Sequence, residues 1–212
     1  MNLKAAVIVF PGTNCENETI DACIQAGFDA SIVWHEDDIK DFDLVVLAGG
    51  FSYGDHISSG RVAKFSPIIN KLKNFDGFVL GICNGFQILC EAGLLPGALL
   101  TNEKLKFISK TVQIEFEGQN LNIPIAHHQG NFYFEGELAP HIKTLNYTQN
   151  PNGSKDNIAG LWDTQQNILG LMPHPERAFF EEQNSTDGRI IFEKIKKVLE
   201  NAKINTRTCA KA

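Results

Sequence analysis

Phe78-Val79-Leu80-Gly81-Ile82-Cys83-Asn84-Gly85-Phe86-Gln87, residues 78–87, is an apolar run that breaks at a cysteine and passes at once into a helix-like segment. A strand must stop and a helix must start within a residue or two, which forces a sharp, strained backbone at Cys83. Gly81 and Gly85, two positions to either side, leave room for that turn. The sulfur is thereby lifted out of a sheet and set at a helix N-terminus, where the dipole and unpaired N–H groups favour negative charge. This is a nucleophile elbow with cysteine in place of serine, so Cys83 reads as a nucleophile rather than a core residue.

The sequence before the elbow alternates strand and helix signals in the same way. Lys4–Phe10 is a short β-rich run, and Pro11-Gly12-Thr13-Asn14 reads as a loop ending in a helix N-cap. Residues 15–26 follow, with Ile20, Cys23 and Ile24 at helical spacing and Gly27 as a stop. Ala30–Trp34 and Leu44–Ala48 are two further strands, the second almost wholly apolar, as expected of a strand covered on both faces. Residues 61–74 read as a helix entered from a glycine-rich loop, 78–82 as the next buried strand, and 84–92 as the elbow helix closed by Gly93.

From about residue 111 the texture changes. Thr111–Phe116, Leu121–Ala126, Ile158–Trp162 and Ile168–Met172 look like strands separated by Gly, Asn and Pro turns. The polar stretch 147–157, centred on Pro151-Asn152-Gly153-Ser154, reads as an exposed loop. A closing amphipathic helix is expected over 186–201, with Ile190, Ile191, Ile195, Val198 and Leu199 as its apolar stripe, and a frayed polar tail after it. The expectation is one α/β domain over 1–202 with a tail over 203–212. Its sheet should be mostly parallel, with helices on both faces and antiparallel strands in the second half.

Composition bounds the function. The 212 residues can bury one sizeable core, and 43% hydrophobic with 21% charged residues is ordinary for a globular domain. A formal net charge of −6 without a basic tract argues against nucleic acid or an anionic membrane as partner. No apolar run approaches a membrane span, and no signal-peptide pattern precedes the first strand. Five cysteines (15, 23, 83, 90 and 209) form no C-x-x-C pair, which suits a reducing cytoplasm better than a disulfide framework. The glycosylation pattern Asn17-Glu18-Thr19 is then accidental.

A thiol nucleophile needs a base, and the base an orienting group. His174 lies in Met172-Pro173-His174-Pro175-Glu176-Arg177, just after an apolar run. Pro175 pushes His174 towards extended geometry, and in an extended chain residues i and i+2 project to the same side. Imidazole and Glu176 carboxylate are thus neighbours, the carboxylate fixing one ring nitrogen and leaving the other for Cys83. Of the other histidines, His35, His56 and His141 read as surface residues. His127 and His128 close a strand, and either imidazole could point into a cleft. No metal-ligand spacing links histidines to cysteines, so no metal is expected. Asn84 N–H is one oxyanion donor by construction. The second must come from Leu47-Ala48-Gly49-Gly50-Phe51-Ser52-Tyr53-Gly54-Asp55, with Gly50 as the candidate and Gly49 and Phe51 behind it. Gln87, one helical turn after Cys83, is placed to bind a polar amino-acid substrate. Cys90 reads as core, and Cys15 as a thiol near a helix start with no base in its own neighbourhood.

Together, Gly-Ile-Cys-Asn-Gly-Phe-Gln at 81–87, Gly49-Gly50 after a strand and Pro-His-Pro-Glu at 173–176 resemble the triad-type (class I) glutamine amidotransferases. Within that class the chain is similar to the glutaminase subunits of phosphoribosylformylglycinamidine synthases. The resemblance rests on Phe10-Pro11-Gly12-Thr13-Asn14-Cys15, on residues 49–55, on Asn84 and on residues 172–177, and it spans about residues 4–200. It implies a flavodoxin-like sandwich, with Cys83 as nucleophile, His174 as general acid/base and Glu176 orienting it. Gly50 and Asn84 would form the oxyanion hole, and Gln87, Gly49 and Phe51 the glutamine pocket. It implies no cofactor in this chain and ammonia delivery to a large synthetase subunit that binds ATP and magnesium, with a small accessory subunit in the complex. Where the family has His-Gly-Glu-Gly, this chain reads His127-His128-Gln129-Gly130, a departure that bears on pocket detail or docking. The rival readings are a class I glutaminase serving a different synthase and a non-enzymatic thiol sensor on a similar fold.

Overall fold

A computed structural model describes residues 2–55 and 58–209; His56 lies outside the described residues. Strand β1 (Leu3–Val9) leads to helix α1 (Glu16–Gln25), β2 (Phe28–Trp34) and β3 (Leu44–Leu47). After α2 (Pro67–Leu72) come β4 (Phe78–Ile82) and α3 (Asn84–Glu91). The second half contributes β5 (Ala98–Thr101), β6 (Ile108–Phe116), β7 (Gln119–His127), β8 (Gln129–Tyr133), β9 (Ile142–Tyr147), β10 (Ile158–Asp163) and β11 (Ile168–Leu171), and the chain closes in α4 (Gly188–Cys209).

Among the described residues the main sheet runs β2-β1-β3-β4-β11-β10-β9-β6-β7. Its first five strands are parallel neighbours in the 2-1-3-4-5 order of a doubly wound fold, and the rest are antiparallel. From β1 the chain steps one way to β2, and from β3 it steps the other way to β4 and β11. Right-handed crossovers therefore place α1 on one face and α2 and α3 on the other. Covered twice, β3, β4 and β11 are buried at every position. Reversal of the strand order between β1 and β3 opens a crevice at the carboxyl ends of the parallel strands, the standard ligand site of such sheets. The ends of β1, β3, β4 and β11 carry Cys15, Gly49-Gly50, Cys83 and His174.

The structure departs from the sequence expectation at several elements. The helix expected over 61–74 is a short turn at Ala63–Phe65 followed by α2, because Ser66 before Pro67 is extended (φ −65°, ψ 144°). Cys15, not Asn14, occupies the N-cap position of α1, and no side chain caps it. The closing helix does not end near Asn201: its backbone stays helical to Cys209, through the expected tail. The polar stretch 147–157 is exposed at 148–150 and 155–157, as expected, but Asn152 and Ser154 at its centre are buried. Their side chains donate to Gly130 O (2.7 and 3.2 Å), and Ser154 Oγ accepts from Phe132 N–H (3.0 Å). Those residues are polar because they complete the hydrogen bonding of β8. Strands β5, β8 and β9 had no clear sequence signal.

Candidate active site

Cys83 sits at φ 50°, ψ −101°, between the last residue of β4 and the first of α3. An L-residue is held in that sparsely populated region only by contacts around it. Cys83 N–H donates to Leu171 O of the neighbouring β11 (2.8 Å), and Gln87 N–H donates to Cys83 O (3.1 Å) to start the helix. Both flanking glycines are sterically required. A β-carbon at Gly85 would run into the Leu47 backbone, and one at Gly81 into Leu89 and Gly85. The sulfur is buried, with Ala126 O at 3.8 Å from Sγ.

His174 enters from the end of β11. Its N–H donates to Pro124 O of β7 (2.8 Å), and its Nδ1 is 2.6 Å from Glu176 Oε1. The pairing read from sequence is present, but the chain does not stay extended. His174 itself lies at φ −103°, ψ 87°, and Glu176 lies in a 3-10 turn over Pro175–Arg177. Both side chains are buried, and His174 Nε2 and Glu176 Oε2 have no hydrogen-bond partner among the described residues. Burial disfavours the imidazolium, but the Glu176 carboxylate and then the Cys83 sulfur outweigh it and raise His174 to about 10. Gly49 abuts the ring, where a β-carbon would come within 2.9 Å of His174 Cε1 and 3.3 Å of Cys15 Sγ.

Cys15 is the residue whose place the sequence reading missed. It has no base nearby in sequence, yet its Sγ and the ligand atoms of His174 and Glu176 all lie within 4.8 Å of one another. That spacing is short enough for a metal ion. Against it, burial pushes the Cys15 thiol up to about 12, and Sγ already accepts a hydrogen bond from Arg177 Nη2 (2.9 Å). Arg177 also reaches Glu18 Oε1 (3.3 Å) and lies 3.9 Å from Glu176 Oε1, tying α1 to the turn that carries the acid. The available signal was position: Phe10–Cys15 follows β1 at the switch point.

Asn84 is the first residue of α3, where backbone N–H groups have no partner within the helix. Gly50 adopts φ 140° and bridges Thr13, a conformation L side chains rarely take. Phe51 N–H is committed to Gly12 O (3.1 Å) and its side chain is exposed, so it supplies no oxyanion donor here. Gln87 is buried with both ends of its amide occupied: Oε1 accepts from Asn84 Nδ2 (2.9 Å) and Nε2 donates to Gln129 O. Asn84 Nδ2 also reaches Asp55 Oδ1 (3.3 Å), while its Oδ1 accepts from Ser52 N–H (3.1 Å). The departure at 127–130 is therefore built into this network, because Gln129 Oε1 accepts from Ser59 N–H (2.8 Å).

His127 is buried and His128 exposed, which resolves the open choice between them. His35 corrects the surface expectation: it is buried, 2.8 Å from Ser66 Oγ and stacked on Phe10. His141 is partly exposed, 3.8 Å from Asp163. Cys23 and Cys90 are core residues.

The model of the CobB/CobQ-like glutamine amidotransferase domain matches residues 2–203. The phosphoribosylformylglycinamidine synthase subunit PurQ of Ruegeria pomeroyi is 45% identical, over 90% of this chain and 96% of its own. The protein of the same name from Helicobacter hepaticus is 43% identical, over 93% and 99%. A chain in the structure of PurLQS from Thermotoga maritima superposes with a TM-score of 0.87 at 39% identity, covering 94% of this chain and all of that one. A putative GMP synthase protein of Thermoplasma acidophilum shares the fold at 16% identity and a TM-score of 0.71, covering 98% of this chain and 99% of that one. The chain belongs to the glutamine amidotransferase family, in its PurQ branch.

Proposed function

We propose that this chain is the glutaminase subunit of a phosphoribosylformylglycinamidine synthase. It hydrolyses L-glutamine to glutamate and ammonia and delivers the ammonia to a large synthetase subunit. That subunit, using ATP and magnesium, converts formylglycinamide ribonucleotide to formylglycinamidine ribonucleotide in purine biosynthesis, with a small accessory subunit in the complex. The observation that carries the reading is the strained Cys83 beside the buried His174–Glu176 pair at the carboxyl ends of β4 and β11. The names borne by the relatives supply the pathway.

In this reading the Cys83 thiolate attacks the carboxamide carbon, and the C–S bond forms as the carbonyl π electrons move to oxygen. The oxyanion is met by Asn84 N–H and Gly50 N–H, with Gly49 keeping the approach open and Gln87 bracing the pocket. Raised by Glu176, His174 is held as imidazolium, so it has the proton that the departing nitrogen needs as the C–N bond breaks. The neutral imidazole then takes a proton from water as it attacks the thioester. Collapse of the second oxyanion releases glutamate and restores the thiolate–imidazolium pair. Burial of the side chains keeps water from the thiol until substrate enters.

A reducing cytoplasm suits the four described cysteines, all free thiols. Among the described residues no helix is long and apolar enough to cross a membrane. Glutamine-dependent ammonia release that is abolished by Cys83→Ser and retained in Cys15→Ser supports the assignment. Release that survives Cys83→Ser contradicts it.

A further inference from the structure

The free edge of β7 lies against both reactive residues. Pro124 O accepts His174 N–H at 2.8 Å, and Ala126 O is 3.8 Å from Cys83 Sγ. His127 follows directly, buried, with an Nε2 that has no hydrogen-bond partner among the described residues. A buried unpartnered ring nitrogen costs stability, so its retention calls for an explanation.

Its protonation state can be read from its neighbours. Asn102 Nδ2 donates to two backbone carbonyls, Lys106 O (2.8 Å) and His127 O (2.9 Å), which fixes the orientation of the Asn102 amide. Asn102 Oδ1 must therefore accept, and it does so from Gly130 N–H (3.1 Å) and His127 Nδ1 (3.0 Å). His127 Nδ1 carries the proton, and Nε2 presents a lone pair. Burial, with the nearby His174 charge, lowers His127 to about 4 and keeps the ring neutral. The ring is clamped as well, since a β-carbon at Gly130 would collide with it. The result is a rigid, uncharged hydrogen-bond acceptor on the residue after Ala126, whose carbonyl oxygen lies 3.8 Å from Cys83 Sγ.

We propose that His127 Nε2 accepts a hydrogen bond from the nitrogen of the scissile carboxamide, holding the NH2 group that leaves as ammonia. This rests on the glutaminase reading above. A fixed acceptor favours an N–H donor and disfavours a carboxylate oxygen, so the same contact discriminates glutamine from the glutamate product.

The test compares kcat/KM for L-glutamine with kcat/KM for the γ-methyl ester of L-glutamate, whose leaving group has no N–H, in the complex reconstituted with the synthetase. The ratio of the two is independent of how much of each preparation is folded. His127→Asn keeps an atom near Nδ1 for Asn102 but removes the acceptor at Nε2, and should lower the amide-to-ester ratio about tenfold. His127→Gln restores an acceptor near Nε2 and should keep the ratio within about threefold of wild type. Equal losses on both substrates in His127→Asn, or a ratio that falls in His127→Gln and not in His127→Asn, overturns the proposal. A wild-type complex that does not hydrolyse glutamine would instead overturn the function reading itself.

Discussion

In the proposed mechanism Cys83 and His174 act as a pair, Cys83 held by contacts outside its own segment and His174 by a carboxylate two residues on. Cys83 keeps its positive φ through the Leu171 carbonyl and the close approach of Gly85 to Leu47. His174 keeps its charge through Glu176, whose influence outweighs the burial of the ring. Glu176→Gln should lower kcat by about 10²–10⁴-fold with little change in KM, since it alters the acid rather than the pocket. It should also move the alkaline limb of the pH–rate profile to lower pH, because acylation needs the imidazolium that Glu176 stabilises. An alkaline limb that stays in place would show that another group sets it. The proposed triad was legible because its signals are local: an elbow motif and a histidine two residues from a carboxylate. The surroundings of His127 and Cys15 were not, because they depend on Asn102 and on the end of β11, which sequence spacing does not bring together.

At the level of elements, the contacts that decide the site are backbone approaches between neighbours in the parallel half. Gly85→Ala would force α3 away from β3 and should cost about 1–3 kcal/mol, read from the denaturation midpoint. An unchanged midpoint would mean that the elbow helix is more loosely seated than this packing requires. Arg177 links α1 to the turn that carries Glu176 through Cys15 and Glu18. Its side chain is about one-third exposed, so Arg177→Met should cost no more than about 1 kcal/mol, a melting shift of roughly 2–4 °C. The buried strands β1, β3, β4 and β11 were legible as apolar runs with helices between them. Strands β5, β8 and β9 were not, being short, half-polar and paired antiparallel through partners distant in sequence. The centre of the stretch 147–157 misled for a related reason: Asn152 and Ser154 serve the backbone of β8 rather than solvent.

Over the whole molecule, the two buried histidines shape stability in opposite directions. His127 has a folded value of about 4 against an ordinary 6.5, so its contribution is complete above about 6.5 and is lost as pH falls through 4. His174 is raised to about 10, so its contribution is complete below about 6.5 and is lost as pH rises through 10. Unfolding free energy should therefore peak near neutral pH. His127→Asn should flatten the acid limb between about 6.5 and 4, a change of up to about 3 kcal/mol. An acid limb of unchanged slope in that variant would place its origin elsewhere. The buried side chains of Cys83, His174 and Glu176 and the Gln87 amide, bonded at both ends, also describe a closed site. The isolated chain should hydrolyse glutamine slowly and gain at least about tenfold in kcat/KM when the synthetase is added. Full activity without the partner would contradict a partner-opened site.

The most direct measurement is formation of formylglycinamidine ribonucleotide by the reconstituted complex, with either glutamine or ammonium chloride as nitrogen source, comparing wild type with Cys83→Ala. Loss of the glutamine-supported reaction with the ammonia-supported reaction intact is the predicted result. Glutamine-supported product from the Cys83→Ala complex at the wild-type rate would contradict it.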